Sequence, residues 1–155
     1  MKNLDTLYGD ITQVTKGIIV HQVNCQGVMG SGVAKALYTK WPEVKKQFLK
    51  YSTVPNEDLL GVIQNVWISD ELVVVNGFSQ FDYGTSSRRY TSYDAVDNVF
   101  RQVAYLQRQL DLSVYVPYSY GCGLGGGDWN IVETIIASHC PKATAIRLPV
   151  NLLKI

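Results

Sequence analysis

Two glycine-rich stretches hold most of the residues that could do chemistry. Gly27-Val28-Met29-Gly30-Ser31-Gly32 and Gly121-Cys122-Gly123-Leu124-Gly125-Gly126-Gly127 each lie between an apolar run and a helical pattern. Without side chains, backbone N–H groups can approach a ligand closely. At a helix N-terminus those amides and the helix dipole favour a phosphate. One such loop often serves only its own turn; two in a short chain point to a diphosphate held between them. Neither is a Rossmann fingerprint, because no acidic residue closes a second strand about twenty residues on. Neither is a P-loop, since no Gly-Lys-Ser/Thr follows.

Around these loops stand a few groups able to move protons or read a ligand. His21 lies three residues before Asn24, and a histidine exchanges protons near neutral pH. It also shares a strand face with Ile19 and Val23, which is the pattern of a buried core histidine. Asp128 closes the second loop, where it suits either acid–base work or the N-cap of the next helix. Cys25 and Cys122 lie beside the loops with no activating partner in sequence. Arg88 and Arg89 could reach a terminal phosphate or simply face solvent, and His139 reads as a helix-end residue. Two distant histidines and no paired acidic motif make no metal-ligand set, so neither metal nor cofactor is expected.

The elements that must position these groups alternate along the chain. Leu4–Tyr8, Gly17–Val23, Val62–Ile68, Leu72–Val75, Val114–Val116 and Ala145–Val150 read as strands. Val62–Ile68 and Leu72–Val75 flank Ser69-Asp70 as a hairpin. Helical spacing runs through Val33, Ala34, Leu37 and Tyr38, then through Val44, Phe48 and Tyr51 after Pro42. A third helix carries Val96, Val99, Phe100, Val103, Leu106 and Leu110, with Thr91 or Ser92 as N-cap, and a fourth carries Trp129, Val132, Ile135 and Ile136. The polar, aromatic segment Gly77–Tyr90 lacks periodicity and reads as a long loop. This alternation predicts a single domain over residues 1–155. Its fold class is α/β, a three-layer α/β/α sandwich around a mixed, mostly parallel sheet. Both glycine loops would then open at the carboxyl ends of core strands, where ligands bind in such sheets.

Composition removes several classes of function. With 155 residues, 46% of them hydrophobic and 17% charged, the chain has the make-up of one globular domain. A net charge of +1 advertises neither non-specific nucleic-acid binding nor an anionic membrane. Apolar runs such as Ile18–Val20 and Leu72–Val75 are too short to span a bilayer. No signal core follows Met1, and the three cysteines are an odd number without paired spacing, so a cytoplasmic location with free thiols is the expectation.

Four motifs taken together carry a resemblance. Gly9-Asp10-Ile11-Thr12, Ile19-Val20-His21-Gln22-Val23-Asn24, Gly30-Ser31-Gly32-Val33-Ala34 and Gly121–Trp129 occur in the order and spacing of the macro domain family, and the similarity spans essentially the whole chain. Within it, the His-x-x-Asn-Cys-x-Gly stretch and Gly121-Cys122-Gly123-Leu124 resemble the branch of fungal-type ADP-ribose 1″-phosphate phosphatases and terminal ADP-ribose glycohydrolases. The resemblance implies that Asp10 accepts from the adenine amino group, with Gly9 and Ile11 beside it. It implies that Asn24 faces the distal ribose, with Cys25 next to it. Gly30, Ser31, Gly32, Val33 and Ala34 would line one side of the diphosphate. Ser119, Tyr120, Gly121, Cys122, Gly123, Leu124, Gly125 and Gly126 would line the other, with Phe81 and Tyr83 as apolar walls. His21 occupies the position of the phosphatase histidine, and Asp128 is the second catalytic candidate.

One departure discriminates between branches. Glycohydrolases of this kind use a lysine after the central strand and an acidic residue in the second loop. Here the strand end reads Val75-Asn76-Gly77-Phe78-Ser79, and the loop position is Gly125. A lysine-dependent glycohydrolase is therefore disfavoured. The expected function is hydrolysis of ADP-ribose 1″-phosphate to ADP-ribose and phosphate. A non-catalytic reader of ADP-ribose or ADP-ribosylated macromolecules stands as the alternative, and a de-ADP-ribosylating hydrolase as a second.

Overall fold

The computed structural model describes residues 3–30, 32–51 and 56–149, so Ser31 of the first glycine loop and Val150 of the last expected strand lie outside the described residues. Six strands form one sheet: β1 (Asp5–Tyr8), β2 (Gly17–Asn24), β3 (Ile63–Ser69), β4 (Leu72–Gln80), β5 (Val114–Pro117) and β6 (Thr144–Arg147). Their order is β1-β6-β5-β2-β4-β3, parallel throughout except for the antiparallel β3–β4 pair. The helices are α1 (Gly32–Lys40), α2 (Glu43–Tyr51), α3 (Tyr93–Leu110) and α4 (Trp129–His139).

The strand sequences explain why both sheet faces are covered. β2 is apolar at consecutive positions, so its alternate side chains feed two cores. Ile18 and Val20 join Val96, Phe100, Val132 and Ile136 of α3 and α4, whereas Ile19 and Val23 join Leu37, Val44 and Phe48 of α1 and α2. Three layers result, as the alternation of elements predicts.

The end of β4 corrects one expectation. Gly77–Tyr90 does not begin as a loop: β4 continues to Gln80, and every residue from Leu72 to Ser79 is buried. Asn76 and Ser79 are polar, which hides the strand in the sequence. Because β4 pairs with β2 on one side and β3 on the other, those side chains find partners from distant segments. Gly77 is small for a packing reason, since a Cβ there would stand 2.8 Å from the Tyr120 hydroxyl and 2.9 Å from Val99 Cγ1. The loop proper is Phe81–Tyr90, closed by a bridge between Gln80 and Thr91. Ser92 is the α3 N-cap, accepting from the Ala95 amide at 3.2 Å.

Candidate functional site

A cleft of ≈ 600 Å³ opens at the carboxyl ends of β2 and β5, between the two glycine loops. Of the residues expected at the site, His21, Asn24, Gly30, Gly32, Val33, Ala34, Ser119, Tyr120, Gly121, Gly123, Leu124 and Gly125 line it. Tyr83 forms part of its wall as expected, together with Gly84 and Thr85 of the same loop. Phe81 instead packs on the core beneath α1 and α2.

The first loop is shaped by Asn24. Its Oδ1 accepts from the amides of Gln26 and Val28 at 3.0 and 3.3 Å, and its Nδ2 donates to Val28 O at 2.7 Å. Three of the four hydrogen-bonding positions of that amide therefore serve the loop, and one N–H is left for another partner. α1 begins at Gly32, so the amides of Gly32, Val33 and Ala34 belong to a helix's first turn, where no intrahelical acceptor exists. All three residues face the cleft.

The second loop is held from behind by side chains that sequence reasoning missed. Gln22 Nε2 donates to Gln80 Oε1 at 2.7 Å and to Thr91 Oγ1 at 2.9 Å. Thr91 Oγ1 then donates to Gly121 O at 2.6 Å. On the other side of Gln22, Ser79 Oγ donates to its Oε1 at 2.8 Å. That commits the single Ser79 proton, so the Tyr120 hydroxyl must donate to Ser79 across their 2.8 Å contact. No sequence pattern announces this network, because its members come from four separate segments. Ser119, Gly121 and Gly126 take left-handed backbone conformations, with φ of 65°, 70° and 75°.

Glycine serves two different ends in these loops. A Cβ on Gly125 would stand 2.5 Å from Thr91 Oγ1 and 2.7 Å from Gly121 O, and one on Gly127 would stand 2.8 Å from Gly121 O. The chain's own packing requires glycine there. Among the described residues, nothing lies within 4 Å of the same position on Gly30 and Gly123, and neither takes a positive φ. Among the described residues, no acceptor meets the backbone amides of Gly123, Leu124 and Gly125. A short run of such amides forms an anion-binding concavity.

His21 sits in the floor, 1% exposed. Asn76 Nδ2 donates to Val44 O and to Gln64 Oε1, which turns its Oδ1 toward the histidine. His21 Nε2 therefore donates to Asn76 Oδ1 at 2.5 Å, and its buried Nδ1 keeps a lone pair with no partner among the described residues. Burial lowers its pKa to about 4, only partly opposed by the Asn76 hydrogen bond. The imidazole is thus neutral at pH 7.

Other expected residues lie apart from the cleft lining. Gly9 and Asp10 border a second depression of ≈ 570 Å³, with Lys16, Asp111 and Tyr115. Asp10 caps the short helical turn Ile11–Gln13, its Oδ1 accepting from the Thr12 amide at 2.9 Å and hydroxyl at 2.7 Å. Ile11, the first residue of that turn, is buried in the core. Asp128 is the N-cap of α4, accepting from the Asn130 amide at 2.9 Å. Cys25 is fully buried, Cys122 is half-buried, and neither Cys122 nor Gly126 is among the cleft-lining residues. Burial pushes the thiols of Cys25 and Cys122 up to about 11, and the Asp128 carboxylate adds to the rise at Cys122. Both are thiols, not thiolates, at neutral pH. Arg88 pairs with Asp82 at 3.1 Å and lies over Tyr90, and Arg89 lies over Tyr93. His139 bonds Asp97 at 2.6 Å at the end of α4. Among the described residues, no three His, Cys, Asp or Glu side chains gather as metal ligands would, and no helix is long and apolar enough to cross a membrane.

No protein-family model matches the chain. An uncharacterized 17.5 kDa protein from the tk-vs intergenic region of Enterobacteria phage T4 is 26% identical over 129 residues, spanning 80% of both chains. Among solved structures, a protein of unknown function from Bacteroides thetaiotaomicron superposes with a TM-score of 0.86 at 29% identity, over 95% of this chain and 99% of that one. A macrodomain protein from Streptomyces coelicolor superposes at 0.76 with 25% identity, over 93% and 97%. DarTG of Thermosipho africanus, solved in complex with ADP-ribose, superposes at 0.73 with 19% identity; it matches all of this chain and 44% of its own length. The six-stranded, mostly parallel sheet between two helical layers is the macrodomain fold.

Proposed function

We propose that this macrodomain-fold protein binds ADP-ribose, with the diphosphate seated between the two glycine loops. The observation that carries the reading is the contrast among the glycines. Among the described residues nothing stands within 4 Å of a Cβ on Gly30 or Gly123 and neither takes a positive φ, so both leave the cleft open for a ligand. The amides of Gly123, Leu124 and Gly125 on one side and the α1 N-terminus on the other would meet the diphosphate oxygens. The remaining N–H of Asn24 would reach a ribose hydroxyl. Asp10 is exposed and uses Oδ1 for its turn, which leaves Oδ2 for an adenine amino group. A protein of the same fold holds ADP-ribose, which supports the ligand class.

Among the described residues, the lining carries no carboxylate, lysine or arginine side chain, so binding without turnover is the reading the geometry supports best. One observation supports the phosphatase reading: His21 is among the cleft-lining residues and its Nδ1 lone pair has no partner among the described residues, although burial makes it a weak base. In that reading water attacks the 1″-phosphorus as His21 takes its proton, and the bond from phosphorus to the ribose oxygen breaks. That oxygen takes a proton from solvent, giving ADP-ribose and phosphate; Asp128 is left to its cap.

Calorimetry with ADP-ribose tests the binding reading. The native chain should bind, and Gly123→Val should lose binding while keeping its thermal midpoint, since its new side chain meets only the cleft. Unchanged affinity in that variant would remove the second loop from the site. Phosphate release from ADP-ribose 1″-phosphate decides turnover. Release by the native chain that disappears in His21→Ala would establish the enzyme, and no release above blank would leave a binder.

A further inference from the structure

We propose that Thr91 is the positioning residue of the second glycine loop, oriented in that task by Gln22. The proposal rests on the reading of this loop as the anion-binding side of the cleft. Thr91 lies immediately before the N-cap of α3, 2% exposed, and it touches the loop at two points. Its hydroxyl donates to Gly121 O at 2.6 Å, and its amide donates to Gly125 O at 3.0 Å. The neighbouring Tyr90 amide donates to the same Gly125 oxygen at 2.7 Å.

The consequence follows from peptide geometry. A peptide's carbonyl and the next residue's N–H share one plane and point in opposite directions. The bonds to Gly121 O and Gly125 O therefore anchor the planes at the two ends of the loop, and the Gly126 amide on Gly123 O turns the Leu124 amide the other way. The loop then spans Gly121 to Gly125 as a bridge over Thr91, and the amides of Gly123, Leu124 and Gly125 have no acceptor among the described residues. An unpaired run of donors held this way is preorganised for an anion and needs no reordering when one arrives.

Gln22 supplies the direction. A threonine hydroxyl has one proton, which is free to rotate. Gln22 Nε2 donates into Thr91 Oγ1 at 2.9 Å and leaves that proton only Gly121 O to bond. Gln22 is itself fixed by Gln80 and Ser79. The fit is close on both sides, since a Cβ on Gly121 would stand 2.9 Å from Gln22 Oε1 and 3.0 Å from Thr91 Oγ1. Two of the loop's glycines, 121 and 125, are thus there to admit the brace, and Gly123 is there to admit the ligand.

Thr91→Val keeps the shape and removes the proton, and Thr91→Ser keeps the proton. Thr91→Val should weaken ADP-ribose binding about tenfold or more. Thr91→Ser should bind within about twofold of the native chain, because it retains both hydrogen bonds. In the ligand-free proteins, the amide resonances of Gly123, Leu124 and Gly125 should shift or broaden in Thr91→Val and return in Thr91→Ser. A residue that merely stabilised the fold would lower the thermal midpoint without moving those three amides selectively. Native affinity in Thr91→Val, failure of serine to restore it, or unmoved loop amides would each overturn the proposal. If the native chain fails to bind ADP-ribose, the functional reading falls. The amide resonances would still decide whether Thr91 sets the loop.

Discussion

The two glycine loops look alike in sequence and are built on opposite plans. The second is tied to the body of the protein through Gly121 O and Gly125 O, and its glycines at 125 and 127 leave no room for a methyl group. The first is shaped by Asn24, with Gln26 Nε2 bonded to Phe81 O and Met29 buried in the core, and among the described residues nothing lies within 4 Å of a Cβ on Gly30 or Gly32. A wall braced through its carbonyls therefore faces one organised by side chains of its own segment. The contrast teaches that glycine content alone does not reveal a ligand. Some of these glycines serve the chain and others the cleft, and only the atoms around each one tell them apart.

The largest effect that would break this contrast is at Gly125. Gly125→Ala drives a Cβ against Thr91, Gly121 and Gln22 at once, so overpacking should cost about 3 kcal/mol of stability. A methyl at Gly30 meets nothing within 4 Å among the described residues, and Gly30→Ala should be nearly neutral. Urea unfolding of the two variants checks the pair. Equal midpoints would mean that the loops are built alike after all.

Much of this architecture was legible in advance. The six strands and four helices followed from apolar runs and periodicity, most plainly in β2 and β4, which bury nearly every residue, and in the apolar stripe of α3. Both loops followed from their glycines. What stayed hidden is the polar interior. The apolar run predicts a strand that stops at Val75, with Ser79 in a loop, because the partners of Asn76 and Ser79, namely His21, Gln64, Gln22 and Tyr120, lie far away in the chain. Thr91 was legible only as a possible cap, and Gln22 only as one residue of a motif. Hydrogen-bond pairing across a sheet has no period, so neither spacing nor composition can reveal it. The separation of Asp10 from the main cleft lining was hidden for the same reason, since it depends on how β1 and β6 place the turn after them.

Acid tests the strand on which both loops depend, with a middling effect. β2 supplies Asn24 to the first loop and Gln22 to the second, and His21 lies between the core and that end of the strand. The unfolded chain protonates His21 near 6.5, whereas the folded chain resists protonation down to about 4. Its contribution is complete above pH 6.5 and falls away as the pH drops through that window, by about 2 kcal/mol at pH 5. Carboxylates also titrate at the lower end, so the informative quantity is the difference between the native chain and His21→Gln. Chemical denaturation at pH 7 and pH 5 should show the smaller loss in the variant. Parallel losses would take His21 out of the acid response.

The smallest effect belongs to the first loop, where it sharpens the contrast. Asn24→Asp keeps an oxygen for the amides of Gln26 and Val28 and loses only the donor to Val28 O. Water can reach that carbonyl at the loop's edge, so the stability cost should be about 1 kcal/mol. The new carboxylate would face the same cleft as the diphosphate, and like charges there repel. Affinity for ADP-ribose should therefore fall further than stability does. In Asn24→Ala the order should reverse: all three loop bonds go and no charge arrives, so the loop loosens while the cleft stays uncharged. Calorimetry and thermal unfolding on both variants separate the two effects. If aspartate and alanine weaken binding equally, the first loop contributes shape alone, and the phosphates must be sought entirely against Gly123–Gly125.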